Sequence, residues 1–235
     1  GTGKTYLAKT LSKIFETQLI RLQCHEGIDE DKALYEWNYK KQLISIQTEK
    51  DSKNLFTEEF LIERPILQAL RTENKSIFLV DEIDRSDEEF EALLLEVLAE
   101  NQVSIPELGT ITSKNENLTV LTSNATRELS EALRRRCLYF YLDYPSVDIE
   151  TKVILNNVEN IDEEKARKFS IFSNFVRSLG LNKPPSLIES VEWVKYNHVK
   201  NEDSLDSNIG ILIKDIEDQK VYLEKIKEDN ANKNQ

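Results

Sequence analysis

The first five residues of the chain have the types and the order that bind a phosphate group. They read Gly-Thr-Gly-Lys-Thr and match the last part of the pattern G-x-x-x-x-G-K-[ST], whose backbone amides surround phosphates. The lysine of that pattern, here Lys4, neutralises the outer phosphates, and its hydroxyl residue, here Thr5, binds magnesium. The apolar residues that follow recur at helical spacing, so the positive end of a helix dipole adds to the same site. The pattern predicts a nucleotide-phosphate site, although so short a match also arises by chance or in a flexible tail.

A second candidate element lies at residues 77–82, where four apolar residues are followed by Asp81 and Glu82. Such a run is typical of a buried parallel strand, and ligands bind at the carboxyl edge of parallel sheets. There Asp81 can hold a magnesium shell, and Glu82 can orient and deprotonate a water molecule. The alternative is a strand that runs into an acidic turn. The acids at 84–89 are interpreted as the cap and first turn of the next helix.

Two further polar features come later in the chain. Asn124 ends an apolar run, where its carboxamide can hold the attacking water or contact the terminal phosphate. A lone Asn is otherwise a common turn residue. Three arginines at 134–136 precede a predicted strand at 138–142. They either complement a helix dipole at the surface or supply an arginine finger, which is worth about 10³–10⁵ in phosphoryl-transfer rate.

The composition narrows the class of protein. The chain has 235 residues, 39% of them hydrophobic, which is enough for a core. Its net charge of −12 disfavours non-specific nucleic-acid binding, because phosphates must be met by clustered Lys and Arg. Two cysteines are too few for a disulfide scaffold, and the two histidines are isolated, so no zinc site is predicted. No apolar run approaches the roughly 18 residues of a membrane span, and no signal peptide opens the chain, so we expect a cytoplasmic protein.

These residues must be positioned by a sheet and its helices. Residues 1–145 alternate between apolar strands and helical segments, which predicts an α/β fold with a parallel sheet flanked by helices. Residues 101–112 predict a hairpin. Residues 146–228 predict an all-α domain, and residues 229–235 a disordered tail. The predicted strands are 18–23, 76–81, 118–123 and 138–142. The predicted helices of the second domain are 147–158, 162–179, 186–199 and 208–228.

The order of these motifs along the chain resembles that of the AAA+ ATPase module. Within that module the chain is similar to the MoxR family, and most of all to the subgroup of carbon monoxide dehydrogenase accessory ATPases. The resemblance covers residues 1 to about 228. It also rests on the stretches 21–27, 33–39, 63–69, 104–110 and 134–139.

The resemblance implies an AAA+ nucleotide-binding core over 1–145 and a helical lid over 146–228. It also implies that a central strand and the start of the phosphate loop precede Gly1, so that the sheet of this chain has a gap. The absence of methionine from the sequence likewise indicates a fragment or a trimmed product.

The family's roles can be carried over residue by residue. The implied reaction is ATP hydrolysis with Mg²⁺, in which Asp81 supports the metal and Glu82 activates water. Lys183 is the candidate second sensor, although a surface charge before a helix is an equally good interpretation. The implied phosphate-binding residues are Gly1, Thr2, Gly3, Lys4, Thr5 and Lys183, and the metal-binding residues are Thr5 and Asp81. The implied catalytic residues are Glu82, Asn124 as the first sensor, Arg136 as a finger that acts on the neighbouring subunit, and Arg135 as the second choice for that finger.

The resemblance also implies partners. These are further copies of the chain in a ring, six in number, a protein with a von Willebrand factor A domain, and a client such as a molybdenum-containing dehydrogenase that the ring remodels. No nucleic acid is expected. One alternative is a DNA-associated ATPase of the clamp-loader type, because Arg-Arg-Cys at 135–137 resembles the Ser-Arg-Cys finger of that class, although the net charge opposes it. Another is a non-hydrolysing binding fragment, because the start of the phosphate loop is missing.

Overall fold

A computed structural model of the chain describes residues 3–48 and 54–232, without the side chains of 228–232. The chain forms two compact units, one of residues 4–140 and one that starts at Tyr141. The helices of the first unit are α1 (Lys4–Ile14), α2 (Glu30–Ala33), α3 (Tyr39–Thr48), α4 (Pro65–Arg71), α5 (Glu88–Glu100) and α6 (Glu131–Arg135). Its strands are β1 (Gln18–Gln23), β2 (Tyr35–Trp37), β3 (Leu61–Glu63), β4 (Ser76–Asp81), β5 (Gln102–Ile105), β6 (Gly109–Thr112) and β7 (Leu118–Leu121).

The sheet that positions the candidate site consists of β1, β4 and β7, in that order and all parallel. Strand β4 lies in the centre and is buried along its whole length. Its near-continuous apolar sequence follows from this position, because both faces of a parallel strand are covered. The α/β fold with a parallel sheet between helices is therefore confirmed. The predicted hairpin is also present, as the antiparallel pair β5–β6.

Alternation along the strands decides which residues lie under α1. Side chains of a strand point to opposite faces in turn. Leu19, Leu79 and Val120 form one cluster, together with Ala8 of α1. Residues two positions further along each strand share that face, because the period is two. Asp81, the last residue of β4, therefore lies on the α1 side of the sheet, between its neighbours from β1 and β7.

The predicted strand at 138–142 is wrong. These residues adopt no regular structure, and Leu138, Tyr139 and Phe140 are largely exposed, at 104%, 84% and 75%. A strand is stable only when its backbone groups are paired with a neighbouring strand. Within residues 3–48 and 54–232, no strand pairs with 138–142, so the apolar pattern alone does not produce one.

The second unit contains helices and connecting loops, and no strand, in its described part. Its helices are α7 (Val147–Asn157), α8 (Glu163–Ser178), α9 (Leu187–Val199), α10 (Ile209–Leu212) and α11 (Ile216–Asn232). Phe169 of α8 and Trp193 of α9 meet edge to face in its core, with 4.9 Å between the ring centroids. The first three predicted helices agree with α7, α8 and α9 to within one residue at each end.

The predicted helix 208–228 and the predicted tail 229–235 both need correction. The helix is two helices, because Ile213 is extended and the Asp215 carboxylate accepts the backbone N–H of Glu217, at 3.0 Å, and begins α11 there. Helix α11 then continues to Asn232, since extending a formed helix by a few residues costs little. Residues 233–235 lie outside the described residues.

A buried ion pair lies between α7 and α8. The Arg177 guanidinium donates to both carboxylate oxygens of Glu150, at 2.7 and 2.8 Å. The two side chains are 6% and 0% exposed. Arg177 also donates to Ser190 Oγ and to the carbonyl of Pro185, both at 2.8 Å, so the guanidinium is well satisfied. Such a pair costs desolvation to form, and breaking it on one side leaves an uncompensated charge.

We expect Glu150→Ala to lower the free energy of unfolding of the helical unit by about 3–5 kcal/mol, because Arg177 then stays buried without its partner. Urea unfolding followed by Trp193 fluorescence, in a Trp37→Phe background, measures this. The matched control is Asp148→Ala, which breaks the exposed pair with Arg167 and should cost at most about 1 kcal/mol. Equal effects of the two substitutions would contradict the prediction.

Candidate functional site

The Asp81 carboxylate is the centre of the candidate site. It ends β4 and is 2% exposed. The Thr5 hydroxyl, in the first turn of α1, lies 2.9 and 3.1 Å from its two oxygens. The Thr122 hydroxyl, just past β7, donates to Oδ1 at 2.5 Å. Arg21 of β1 donates to Oδ2 through Nε at 3.1 Å and through Nη2 at 2.6 Å.

These contacts keep Asp81 ionised. Burial by itself opposes the charged form, but the hydrogen bonds from Thr122, Arg21 and Thr5 outweigh it and hold the pKa of Asp81 below its ordinary value. An ionised carboxylate next to a threonine hydroxyl is the kind of oxygen donor set that Mg²⁺ takes in nucleotide sites, together with phosphate oxygens. The residues present therefore fit a magnesium ion.

Glu82 lies in a turn that an ordinary residue avoids. Its φ is 58° and its ψ is 49°, which is the left-handed region. The turn is held by Thr122, whose hydroxyl accepts the Glu82 N–H and whose carbonyl accepts the Ile83 N–H, both at 2.9 Å. A non-glycine residue in this region is strained, and such strain is typical of functional sites. The Glu82 carboxylate is one-third exposed and accepts a hydrogen bond from Arg85 at 3.2 Å.

Asp84 holds the loop that carries Asn124. It accepts the N–H groups of Asn124 and Thr126 at 3.1 and 3.0 Å, and the Thr126 hydroxyl at 2.6 Å. These bonds outweigh its burial and lower the pKa of Asp84. The prediction that Asp84 belongs to the start of the next helix is therefore wrong. The cap of α5 is Asp87, which accepts the Phe90 N–H at 2.9 Å.

An open depression of about 540 Å³ lies beside these groups. Glu82, Asn124 and Arg127 are among the residues that line it. The Asn124 side chain is exposed there, while its backbone is fixed by Asp84. The fold thus brings together Thr5 with Asp81, and Glu82 with Asn124, as the sequence predicts.

The three arginines at 134–136 lie at the end of α6. Arg135 pairs with Glu131, one turn earlier, and its side chain is 75% exposed. Arg136 is the C-cap residue and donates to the carbonyl of Ala132 at 3.1 Å. Both are exposed, so either can reach a neighbouring molecule.

Lys183 belongs to the helical unit. Its ammonium group lies 2.9 Å from Asp215, which raises the pKa of Lys183, and its side chain is 76% exposed. The backbone N–H groups of Asn182 and Lys183 both donate to the buried Asp218 at 2.8 Å. The position of Lys183 is therefore well defined within its own unit, and its sensor role stays a prediction.

Two of the predicted phosphate-loop residues, Gly1 and Thr2, lie outside the described residues. Gly3 has φ +94°, a backbone conformation that residues with a side chain rarely adopt. It directly precedes α1. Lys4 is the first residue of α1. The helix therefore starts where the phosphate-loop pattern predicts.

The residues Arg21 and Thr122 were missed from the sequence. Their signal is the two-residue alternation, which places Leu19 with Arg21 and Val120 with Thr122 on the face of Asp81.

Cys24 is buried nearby, and burial, aided by Asp81, Asp84 and Glu82, raises the pKa of its thiol to about 12. That thiol is therefore a packing group.

We expect Asp84→Asn to lower the free energy of unfolding of the first unit by about 1–3 kcal/mol at neutral pH, because a buried acceptor loses its charge. The folded pKa of Asp84 lies below the ordinary 3.8, so its contribution is present above that value and is lost as the pH falls through the folded pKa. The difference from wild type should therefore shrink in acid. Urea unfolding followed by Trp37 fluorescence, in a Trp193→Phe background, measures it.

The matched control for that experiment is Asp87→Asn, because asparagine caps a helix as well as aspartate does. It should leave stability nearly unchanged. A difference between Asp84→Asn and wild type that stays constant from neutral to acid pH would contradict the assignment.

Comparison with known proteins identifies the first unit. Residues 1–137 match the sequence family described as the AAA domain, dynein-related subfamily. Uncharacterised proteins of Staphylococcus aureus (strain NCTC 8325) and Staphylococcus saprophyticus are 24% identical over 185 residues. The match covers 76% of this chain, and the chain spans 66% of the length of these curated relatives.

Among solved structures, a mutant of RuvB from Thermotoga maritima has a TM-score of 0.50 and 19% identity, covering 90% of this chain and 57% of that one. A second structure, described as the RuvB Holliday junction branch migration motor of the same organism, has a TM-score of 0.46 and 18% identity, with 90% and 56% covered. At 19% identity the first of these likenesses shows the fold alone. No helix in the described residues is long and apolar enough to cross a membrane. The family match extends over more than half of the chain, which therefore belongs to the AAA domain family, dynein-related subfamily.

Proposed function

We propose that this protein hydrolyses ATP in a magnesium-dependent reaction. The observation that carries the proposal is the meeting of the Thr5 hydroxyl with the Asp81 carboxylate, 2.9 Å apart, at the start of α1. A threonine after the phosphate-loop lysine and an aspartate at a strand end are the two protein ligands that such a metal takes. Membership of the AAA domain family supports the same chemistry.

The substrate phosphates would bind at the N-terminus of α1. Lys4 supplies a positive charge, and the free N–H groups of the first helical turn add the dipole of an 11-residue helix. Thr5 and Asp81 would hold the metal ion, which would supply charge neutralisation of the phosphates. The loop residues Gly1, Thr2 and Gly3 would form the last part of the phosphate-binding loop, directly before Lys4.

Glu82 is the proposed general base. It directly follows Asp81, the proposed metal ligand. Because its backbone is left-handed, its side chain does not continue the alternating pattern of the β4 side chains. Its carboxylate is accessible and lines the depression beside the site. Asn124, on the same depression, is proposed to orient the attacking water or the terminal phosphate.

Arg136 is proposed to act on the site of a neighbouring copy of the chain, with Arg135 as the second choice. Both are exposed at the end of α6. Arg135 already has an ion-pair partner in Glu131, whereas among the described residues the Arg136 guanidinium donates to a helix carbonyl and to no carboxylate, which favours Arg136. Lys183 is proposed as the second sensor, held by Asp215 and Asp218 until nucleotide binds.

The resemblance to the MoxR family supports a wider role. We propose a cytoplasmic ring of six copies that remodels a client, with a von Willebrand factor A protein as partner and a molybdenum dehydrogenase as the client class. Residues 146–228 are the lid whose movement would couple hydrolysis to that work. The likeness to RuvB transfers no DNA-binding role, and a net charge of −12 disfavours one.

We expect Glu82→Gln to lower ATP turnover by about 10²–10⁴, because glutamine cannot take a proton, and to leave ATP binding intact. Phosphate release and binding of a fluorescent ATP analogue, both in the complete natural protein, measure the two quantities. Glu89→Gln removes a nearby exposed acid and is the matched control. Turnover near the wild-type rate in the Glu82→Gln variant would remove Glu82 from the proposed role.

We expect Arg136→Ala to lower turnover by about 10³ or more, because the finger stabilises charge in the transition state. Arg135→Ala should have a small effect. Turnover per chain in the wild type should rise with protein concentration as rings form.

A mixing experiment tests the action between subunits. Arg136→Ala chains keep an intact base, and Glu82→Gln chains keep an intact finger, so a mixture of two inactive variants should recover activity. A mixture that stays inactive, with rings still formed, would show that the finger does not act between subunits.

A further inference from the structure

Arg21 donates hydrogen bonds to a carboxylate oxygen of Asp81, the residue that the proposed metal site uses as a ligand. Two nitrogens of its guanidinium, Nε and Nη2, lie 3.1 and 2.6 Å from Asp81 Oδ2. The other oxygen, Oδ1, accepts from Thr122 at 2.5 Å and from Thr5 at 2.9 Å. Both oxygens of this buried carboxylate are thus engaged by donors.

A divalent ion and a guanidinium compete for such a carboxylate. Mg²⁺ binds oxygen at about 2.0–2.1 Å and demands a near-octahedral arrangement of ligands, which leaves little room for a second cation on the same atom. Thr122 is 5% exposed and is fixed by Glu82, so it is not free to leave. Arg21 is the donor that can leave most easily.

The surroundings of Arg21 allow such a movement. Its side chain is 44% exposed, whereas that of Asp81 is 3% exposed. It lies on β1, an edge strand of the sheet, two residues before Gln23. The side-chain amide oxygen of Gln23, Oε1, already accepts from Nη2, so one hydrogen bond remains available to a guanidinium that has left Asp81.

We propose that Arg21 is a positioning residue that holds the Asp81 carboxylate in place before the metal arrives and releases Oδ2 when Mg²⁺ binds with the nucleotide. The inference rests on the proposed ATP site and assigns Arg21 a role in its metal affinity. In the metal-free protein, the guanidinium supplies the positive charge that a buried carboxylate requires. In the loaded protein, Mg²⁺ supplies it instead.

The consequence is a measurable competition. Removing the guanidinium frees Oδ2, so the metal no longer has to displace a donor. In an Arg21→Met variant, the Mg²⁺ concentration for half-maximal tight binding of a fluorescent ATP analogue should therefore fall by about tenfold, the size expected for one charge-assisted hydrogen bond. The affinity for the same analogue in EDTA should stay unchanged. The thermal unfolding midpoint of the metal-free variant should fall, because Asp81 loses its counter-charge.

Two variants control this titration in the complete natural protein. Arg21→Lys keeps a cation near Asp81 and should restore most of the wild-type Mg²⁺ requirement. Arg64→Met removes an arginine of similar exposure that pairs with Glu36, and should leave the Mg²⁺ requirement unchanged.

Each other outcome overturns the inference in a recognisable way. An unchanged or higher Mg²⁺ requirement in Arg21→Met would show that Arg21 does not compete with the metal. A loss of analogue binding in EDTA would make Arg21 a phosphate ligand instead. If wild type itself bound no nucleotide at any Mg²⁺ concentration, the proposed function would fail, and this inference with it.

Discussion

The structure around the candidate site depends on one ionised carboxylate buried at the end of the central strand. A buried charge is tolerated only when it is paired and hydrogen-bonded. Asp81 meets this requirement with one donor from each neighbouring element: Arg21 on β1, Thr122 after β7 and Thr5 on α1. All three strands of the sheet and α1 therefore contact the two carboxylate oxygens of Asp81. These contacts fix the start of α1 relative to the carboxyl ends of the strands.

Much of this arrangement could be predicted from the sequence, because the local signals are strong. An apolar run that ends in two acids fixes the strand and its polar end, and the phosphate-loop pattern fixes the start of α1. Arg21 and Thr122 could not be identified in the same way, because their role depends on which strands are neighbours and in which register. Asp84 was misassigned for a similar reason: its partners lie 40 and 42 residues further along the chain.

The segment at 138–142 shows the converse error, in which the sequence pattern predicts an element that the structure does not contain. Its Leu-Tyr-Phe-Tyr-Leu sequence has the composition of a strand, but strand formation is a property of a pair and not of a segment. In the helical unit the patterns succeeded, since each helix satisfies its own backbone. There the break before α11 was missed because Asp215, a single capping side chain, sets it.

The backbone of Glu82 has a consequence for how this sequence can change. A glycine would fit the left-handed turn better than glutamate does, because it has no Cβ and adopts a positive φ at no steric cost. Selection for stability alone would therefore favour the loss of the carboxylate. Its retention would mean that stability and chemistry compete at this residue and that the fold carries the strain for the sake of the reaction.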